Sequence, residues 1–229
     1  MKIPLPRFHR RDGLVLALCL SLLYGLARLI DHPRPPALDT AILSWLSEQL
    51  HGPVGEILLQ VYRLSGVHFT AFLVFGALIY VLMQRWWRDL RLLVMASGGI
   101  LILVDLILKP LFDRSRPPEK LLVVDGRSFP SGHAAGSVAF YGAMVVILAS
   151  HHPHLRRPLL VGSCLWIGLV WLSTLYARAH WPTDLLAGGG VGLAWLTVCI
   201  ATWRRPIAAG DDPSAAIAGR MPATPSRNP

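Results

Sequence analysis

Long apolar runs make up most of the chain, and short polar segments separate them. Six of these runs approach 20 residues, at positions 13–30, 67–83, 90–108, 133–150, 159–176 and 185–203. A helix of about 20 apolar residues crosses a hydrocarbon core of about 30 Å, so each run predicts one membrane-spanning helix. The pattern therefore predicts an all-α fold, an integral membrane bundle of six transmembrane helices.

A shorter amphipathic stretch at 38–64 separates the first two runs. Asp39 can cap a helix whose apolar residues fall on one stripe, and Gly52 with Pro53 then breaks it before a second short helix. We expect this interfacial helical segment to lie in the outer membrane interface. A packed cap over the bundle and a rim through which lipid enters are both open readings of it.

The composition agrees with a membrane protein and argues against two other classes. Hydrophobic residues make up 53% of the 229 positions, and the mean hydropathy is +0.49. The net charge of +9 could suggest nucleic acid, but the basic residues flank apolar runs instead of forming the basic face of a soluble module. We therefore expect no nucleic-acid partner. The three cysteines all lie in apolar runs, without disulfide or zinc spacing.

Basic residues in short loops orient a membrane protein, because Lys and Arg concentrate on the cytoplasmic side. They cluster before the first run and after the second, fourth and sixth. A cytoplasmic N-terminus places all four groups in the cytoplasm, so both termini are predicted there. We expect a basic N-terminal segment at 1–12, a membrane domain at 13–205 and a disordered cytoplasmic tail at 206–229. The first run is expected to remain as an anchor and not to be cleaved.

Three polar clusters stand at the edges of apolar runs. They are residues 109–117 (KPLFDRSRP), 130–133 (PSGH) and 173–184 (STLYARAHWPTD). The predicted orientation brings all three to the outward face. Together they contain the Lys, Arg, His and Asp side chains that could hold a phosphate group, attack it and protonate the group that leaves.

Lys109 and Arg116 suit the binding of phosphate oxygens, as a point charge and a planar fork. Snorkelling to the interface is the alternative. Ser131 and Gly132 fall in the first turn of a helix, where free N–H groups bind anions. His133 then stands beside the anion and could protonate a leaving oxygen. By itself this second cluster could equally be a plain helix cap.

The third cluster contains His180 and Asp184, four residues apart. A carboxylate that accepts from one imidazole nitrogen leaves the other nitrogen free to attack phosphorus. An interfacial His beside a capping Asp is the alternative.

Asp105, one turn before Lys109, is expected to anchor the Lys109 ammonium. The outward loops contain no dense carboxylate cluster, so we expect no metal and no other cofactor. The loop charges Asp113, Arg114, Asp125 and Arg127 are expected to be solvated, with tuning of headgroup recognition as the alternative.

The motifs K-x6-RP, PSGH and H-x3-D across six predicted spans resemble the type 2 phosphatidic acid phosphatase family, which is related to the vanadium haloperoxidases. The resemblance covers about residues 38–203. It implies metal-independent hydrolysis of lipid phosphates through a phosphohistidine, with His180 as nucleophile, His133 as general acid and Asp184 as the orienting carboxylate. The phosphate would be surrounded by Lys109, Arg116, Ser131, Gly132 and His180.

The third motif departs from the family pattern, because Thr174 follows Ser173 where the family has Arg. Arg178 lies four residues on, which in a helix is one turn away on the same face. We therefore expect Arg178 to replace the missing guanidinium, with snorkelling to headgroups as the alternative.

These features predict a lipid phosphatase of the bacterial inner membrane with an outward-facing site. Undecaprenyl diphosphate is the first expected substrate, and phosphatidic acid or phosphatidylglycerol phosphate is the close alternative. A lipid phosphotransferase, or a membrane protein with a worn catalytic site, represents another class. The expected partners are the lipid phosphate and the bilayer, and the sequence indicates no obligate protein partner.

Overall fold

The computed structural model describes residues 8–32 and 34–204. The predicted tail at 206–229 lies outside these residues, as does most of the basic segment at 1–12. Within them, all regular secondary structure is helical. The all-α prediction is therefore confirmed for the part of the chain that the structure describes.

Eight helices of four residues or more follow one another within this part of the chain, if the segments that run on from Trp87 are counted as one. They are α1 (Arg10–Ile30), α2 (Ala37–Gln49), α3 (Pro53–Leu64), α4 (Val67–Met83), α5 (Trp87–Phe112), α6 (Gly132–His151), α7 (Arg156–Tyr176) and α8 (Pro182–Trp203). Near its end α5 winds as a π-helix over Ile102–Leu108. Such stretches are rare and often occur at functional sites.

Five of the described helices are each long and apolar enough to cross a membrane: α1, α5, α6, α7 with the turn before it, and α8. Helix α4 has 17 residues and qualifies only together with α3, from which it is bent by 53°. The structure thus agrees with an integral membrane protein. The predicted count of six spans depends on whether the bent pair α3–α4 crosses as one.

The helices α6 and α8 begin at the same edge of the bundle. Ser131 caps α6, where its Oγ accepts from the N–H of Ala134 at 3.3 Å. Trp181 is the cap residue of α8, and Asp184 in the first turn accepts from the Trp181 N–H through its Oδ2 at 2.9 Å. The N–H of Ser131 also donates to the carbonyl oxygen of Asp184 at 3.0 Å, so the two helix starts are joined directly.

Glycine lets α6 and α8 approach closely. A β-carbon at Gly188 would overlap the carbonyl oxygen of Ser131, and one at Gly192 would meet the backbone of Ala135. Close backbone approach through small residues is typical of membrane helix pairs, because van der Waals packing drives their association. This packing fixes the distance between the two helix N-termini, where two of the three polar clusters lie.

The predicted amphipathic segment forms the two helices α2 and α3. Leu38, Trp45 and Ile57 are exposed, while Leu43 and Leu58 face the protein. Helix α3 packs against α7. A helical segment over 38–64 is therefore observed, and its position in the outer membrane interface stays a prediction.

Candidate active site

The three polar clusters meet at one end of the bundle. Arg116 Nη1 lies 3.2 Å from His180 Nε2, which joins the first cluster to the third. The rings of His133 and His180 have centroids 6.2 Å apart. Lys109 Nζ lies against the start of α6, 3.7 Å from where Gly132 would carry a β-carbon. The structure thus brings cations from α5 and the following loop to the helix starts that carry both histidines.

Backbone carbonyl groups hold Arg116 in place. Its Nε donates to the carbonyl oxygens of Asp125 and Gly126 at 3.2 and 3.1 Å, and its Nη1 donates to Ala179 at 2.6 Å. Burial lowers the pKa of Arg116 from its ordinary value, but guanidinium remains charged near neutral pH. Among the described residues, no carboxylate lies within ion-pair distance of Arg116. Its charge is therefore available to an anion.

His180 is almost completely buried, with 2% of its surface exposed. Burial lowers its pKa below the usual value, while Asp184 opposes that shift and the nearby cations Arg116 and Lys109 add to it. The imidazole is consequently neutral at pH 7. Its Nδ1 lies 3.4 Å from Asp184 Oδ2, and this buried nitrogen has no hydrogen-bond partner among the described residues. We infer that Nδ1 carries the proton, which leaves the Nε2 lone pair on the Arg116 side.

Lys109 pairs with Asp105 as the sequence predicts, with Nζ and Oδ1 2.6 Å apart. Asp105 lies in the π-helical stretch of α5, and Lys109 follows directly after it. The Lys109 side chain is 19% exposed, so its ammonium is held by one carboxylate and can still reach a ligand.

The second cluster forms the start of α6. Ser131 is fully buried, and its hydroxyl oxygen is the cap of that helix. The first-turn N–H groups at Gly132 and His133 have no partner within the helix, as at any helix start. His133 stacks on Tyr62 of α3, with ring centroids 5.0 Å apart and planes 23° from parallel. Sequence reasoning missed Tyr62, because nothing local marks it as a neighbour of the site.

Two further residues of the site were missed, Arg114 and Asp39. Arg114 was expected to be a solvated loop charge, yet its side chain is 9% exposed and lies between the carboxylates of Asp39 and Asp184. Asp39 was expected to cap α2, but Pro36 is the cap residue and Asp39 is buried in its first turn. The helical spacing of Asp39 with the buried Leu43 could have revealed this, since both fall on one face.

Arg178 does not stand where the sequence argument placed it. Helix α7 ends at Tyr176, and Arg178 has a φ of +52°, so positions 174 and 178 do not share a helical face. The Arg178 guanidinium instead bonds to Glu119 Oε2 at 2.8 Å and to Ser47 Oγ at 3.0 Å. The expected helical placement is therefore wrong.

Thr174 itself is buried within α7. Its hydroxyl donates to the carbonyl oxygen of Val170 at 2.7 Å, a bond within the helix. This position, where the family has Arg, therefore carries a packed side chain that is satisfied by its own helix.

The arrangement defines a class of protein: a membrane helix bundle that gathers two cations and two histidines at one end. The ammonium of Lys109, the guanidinium of Arg116 and the N-terminus of α6 can surround a tetrahedral anion. A neutral imidazole nitrogen of His180 faces the same place.

The PAP2 superfamily matches residues 12–207, and the chain belongs to this superfamily. The resemblance drawn from the three motifs is thereby confirmed. Phosphatases of this superfamily are hydrolases that act on phosphate esters.

Proteins similar to this chain include two phosphatases and one solved structure. Phosphatidylglycerophosphatase B of Bacillus subtilis (strain 168) is 27% identical over 147 residues, which cover 61% of this chain and 70% of the relative. Lipid A 4'-phosphatase of Bacteroides thetaiotaomicron is 27% identical over 184 residues, or 72% and 77% of the two chains. The crystal structure of a transmembrane PAP2 type phosphatidylglycerolphosphate phosphatase from Bacillus subtilis superposes with a TM-score of 0.72 at 22% identity, covering 81% of this chain and 94% of that one. This last similarity establishes the fold.

Proposed function

We propose that this protein hydrolyses a phosphate monoester on a membrane lipid, through a phosphohistidine formed on His180. The observation that carries the proposal is the 3.2 Å separation between His180 Nε2 and Arg116 Nη1. A neutral nucleophilic nitrogen is held beside a cation that no carboxylate of the described residues neutralises. A phosphate group whose oxygens bind Arg116 would place its phosphorus beside His180 Nε2.

The reaction would proceed in two displacements. His180 Nε2 forms a bond to phosphorus while the bond from phosphorus to the lipid oxygen breaks, and His133 gives that oxygen a proton. Water then attacks the phosphohistidine and gives a proton to His133 as the phosphorus–nitrogen bond breaks, so phosphate leaves and both imidazoles are restored. Asp184 stabilises positive charge on the His180 ring. Lys109, Arg116 and the start of α6 stabilise the developing charge on the phosphoryl oxygens by electrostatic preorganisation.

A lipid phosphate monoester is the substrate class that the relatives support. The names of both relatives describe removal of phosphate from a membrane lipid, and neither describes a diphosphate lipid. Phosphatidylglycerophosphate is therefore our first candidate, followed by phosphatidic acid. Undecaprenyl diphosphate, the first expectation from the sequence, moves behind them.

The membrane placement and the metal independence belong to the same proposal. The basic loops support cytoplasmic termini and an outward-facing site in a bacterial inner membrane. Catalysis by cationic side chains and a helix N-terminus needs no metal ion to bind the phosphate. Accessibility labelling of cysteines introduced in the 113–128 loop of intact cells tests the orientation. Labelling from the cytoplasmic side alone would contradict it.

Phosphate release from a panel of lipids tests the activity. The purified chain in detergent is given phosphatidylglycerophosphate, phosphatidic acid, lipid A and undecaprenyl diphosphate, with and without EDTA. We expect hydrolysis of a monoester lipid that EDTA leaves unchanged and that His180→Ala abolishes. Transfer only in the presence of an added acceptor would identify a phosphotransferase, and no release by the folded protein would identify a worn site.

A phosphohistidine can be trapped directly. A lipid substrate with a labelled phosphate, quenched after a few turnovers, should leave acid-labile label on the wild-type protein. His180→Ala should carry none, whereas His133→Ala should carry label if the first displacement still occurs slowly. Label on another residue would exclude His180 as the nucleophile.

A further inference from the structure

Arg114 lies two residues before Arg116 but points away from the oxyanion site. Its Nη1 donates to Asp184 Oδ1 at 2.5 Å and to Thr183 Oγ1 at 2.7 Å, and its Nη2 donates to Asp39 Oδ2 at 2.8 Å. The guanidinium also lies over the ring of Trp181, 5.4 Å from its centroid. One cation therefore joins α2 to the start of α8.

Asp39 is satisfied on both oxygens. Its Oδ1 accepts from the N–H of Thr183 at 2.9 Å, and its Oδ2 accepts from the Thr183 hydroxyl at 2.6 Å as well as from Arg114. The Asp39 carboxylate has no exposed surface. A buried carboxylate with three hydrogen bonds, two from a neighbouring helix start and one from Arg114, is held in one orientation.

The same contacts fix the carboxylate that faces His180. Asp184 Oδ1 accepts from Arg114, and Asp184 Oδ2 accepts from the N–H of Trp181 and lies on the side of His180 Nδ1. Hydrogen bonds to both carboxylate oxygens thus set the orientation of Asp184. Its charge is also shared, because Arg114 neutralises part of it while Asp39 neutralises part of Arg114.

We propose that Arg114 and Asp39 are positioning residues that fix the carboxylate of Asp184 and set the charge that His180 experiences. This inference rests on the proposed function of His180 as the nucleophile. Three buried charges, two negative and one positive, lie on the side of His180 opposite to its attacking nitrogen. They leave one net negative charge to balance the imidazolium that forms when phosphorus is attacked.

The two variants that remove one charge each should act in opposite directions on His180. Loss of the Arg114 cation makes the surroundings more negative and raises the pKa of the imidazole. Loss of the Asp39 anion makes them more positive and lowers it. The other groups that face His180 stay unchanged in these variants: Asp184 in α8, Arg116 in the loop after α5, Lys109 in α5, and His133 in α6, behind which Tyr62 of α3 is stacked.

The test compares Arg114→Gln, Asp39→Asn and the double variant by hydrolysis across pH. We expect kcat to fall about 10- to 100-fold in each single variant, because the orientation of Asp184 is lost. The acid limb of the rate profile should move to higher pH in Arg114→Gln and to lower pH in Asp39→Asn. In the double variant the two shifts should cancel in part, since the removed charges are opposite.

Matched controls separate these effects from general damage to the fold. Arg204 and Asp12 form another Arg–Asp ion pair, more exposed than that of Arg114 and Asp39, with Nη1 and Oδ2 2.5 Å apart at the other end of the bundle. Arg204→Gln and Asp12→Asn should leave kcat and the acid limb unchanged. Arg114→Lys keeps the charge without the fork and should retain the acid limb while losing kcat. Gel filtration of each variant verifies that it is folded.

A readout without turnover keeps this inference separate from the proposed activity. Nitrogen-15 histidine spectra of the same variants report the titration of the His180 ring, assigned by comparison with His180→Gln. Opposite shifts in Arg114→Gln and Asp39→Asn would support the inference even if none of the lipids tested were hydrolysed, an outcome that would defeat only the proposed activity. Unchanged titration in both folded variants, or shifts in one direction, would overturn it.

Discussion

Tyr62 covers one face of His133, with the two rings nearly parallel and their centroids 5.0 Å apart. Tyr62 belongs to α3 and His133 to α6, so the contact connects α3 to the proposed general acid. Tyr62 is 9% exposed and packs beside Ala177 and Ala179, which lie just before His180.

Replacement of Tyr62 tests whether this stack positions His133. Tyr62→Ala should lower kcat by about tenfold or more, because a general acid that can rotate loses part of its 10²- to 10⁴-fold contribution. Tyr62→Phe keeps the ring and should stay within about twofold of the wild type. Gel filtration first verifies that both variants are folded, and their rates are then compared with the wild type. Equal losses in the two variants would instead point to the hydroxyl as the important group.

The acidity of His180 predicts the low-pH behaviour of the enzyme. Burial lowers the pKa of this imidazole, and Asp184 opposes the shift. Since the neutral ring is the nucleophile, activity should be retained below pH 6.5 and lost only as the lowered pKa is crossed. The measurement is kcat/KM against pH.

Replacement of Asp184, the carboxylate beside His180, should shift the acid limb of the pH–rate profile. Asp184→Asn removes the group that favours the charged ring, so its acid limb should lie at still lower pH and its rate should be lower throughout. An acid limb in Asp184→Asn above that of the wild type would contradict the assigned direction.

The pair Asp105 and Lys109 predicts an effect on substrate binding. Asp105→Asn removes the carboxylate 2.6 Å from the ammonium, so Lys109 loses its anchor and KM should rise. The Asp105 side chain is 44% exposed, so solvent weakens the pair and the rise should not exceed about fivefold. Asp12→Asn, at the other end of the bundle, is the control. Unchanged KM and kcat in Asp105→Asn would show that the pair contributes nothing to binding.

Arg178 and Arg116 should differ in their effect on catalysis. The Arg178 guanidinium bonds to Glu119 and Ser47 and to no residue of the candidate site, so Arg178→Ala should retain activity within about twofold. Arg116→Ala should lose about 100-fold or more, because it removes a charge beside the phosphoryl group. A large loss of kcat in Arg178→Ala with normal stability would restore Arg178 as a phosphate ligand.

The close contact of α6 with α8 predicts a difference in stability between two glycines. Gly188→Ala places a methyl group against the carbonyl oxygen of Ser131 and forces the helices apart, at a cost of about 1–3 kcal/mol. Gly190→Ala in the same helix meets Leu22 at an ordinary 3.4 Å and should be nearly neutral. Thermal unfolding in detergent measures both. Equal melting temperatures would mean that the bundle absorbs the extra methyl group.

The helices and the three motifs could be identified from the sequence because both depend on local patterns. Apolar runs of membrane length and the residues that begin each helix can be read without knowledge of neighbours. The pairing of Asp105 with Lys109 was predictable for the same reason, since it lies within one turn of a helix. The error on Arg178 came from extending α7 beyond Tyr176, where the chain turns into the left-handed region.

By itself, the sequence determined the all-helical membrane fold, the superfamily and the set of residues that carry its motifs. Only the tertiary structure decided which charges support His180. Arg114 and Asp39 are 75 positions apart and meet only because α2 packs over the start of α8. Tyr62 reaches His133 in the same way, from a different helix. The face on which Asp39 falls could be read locally, but its partner could not, because the sequence around a charged residue does not show which distant segment will pack against it.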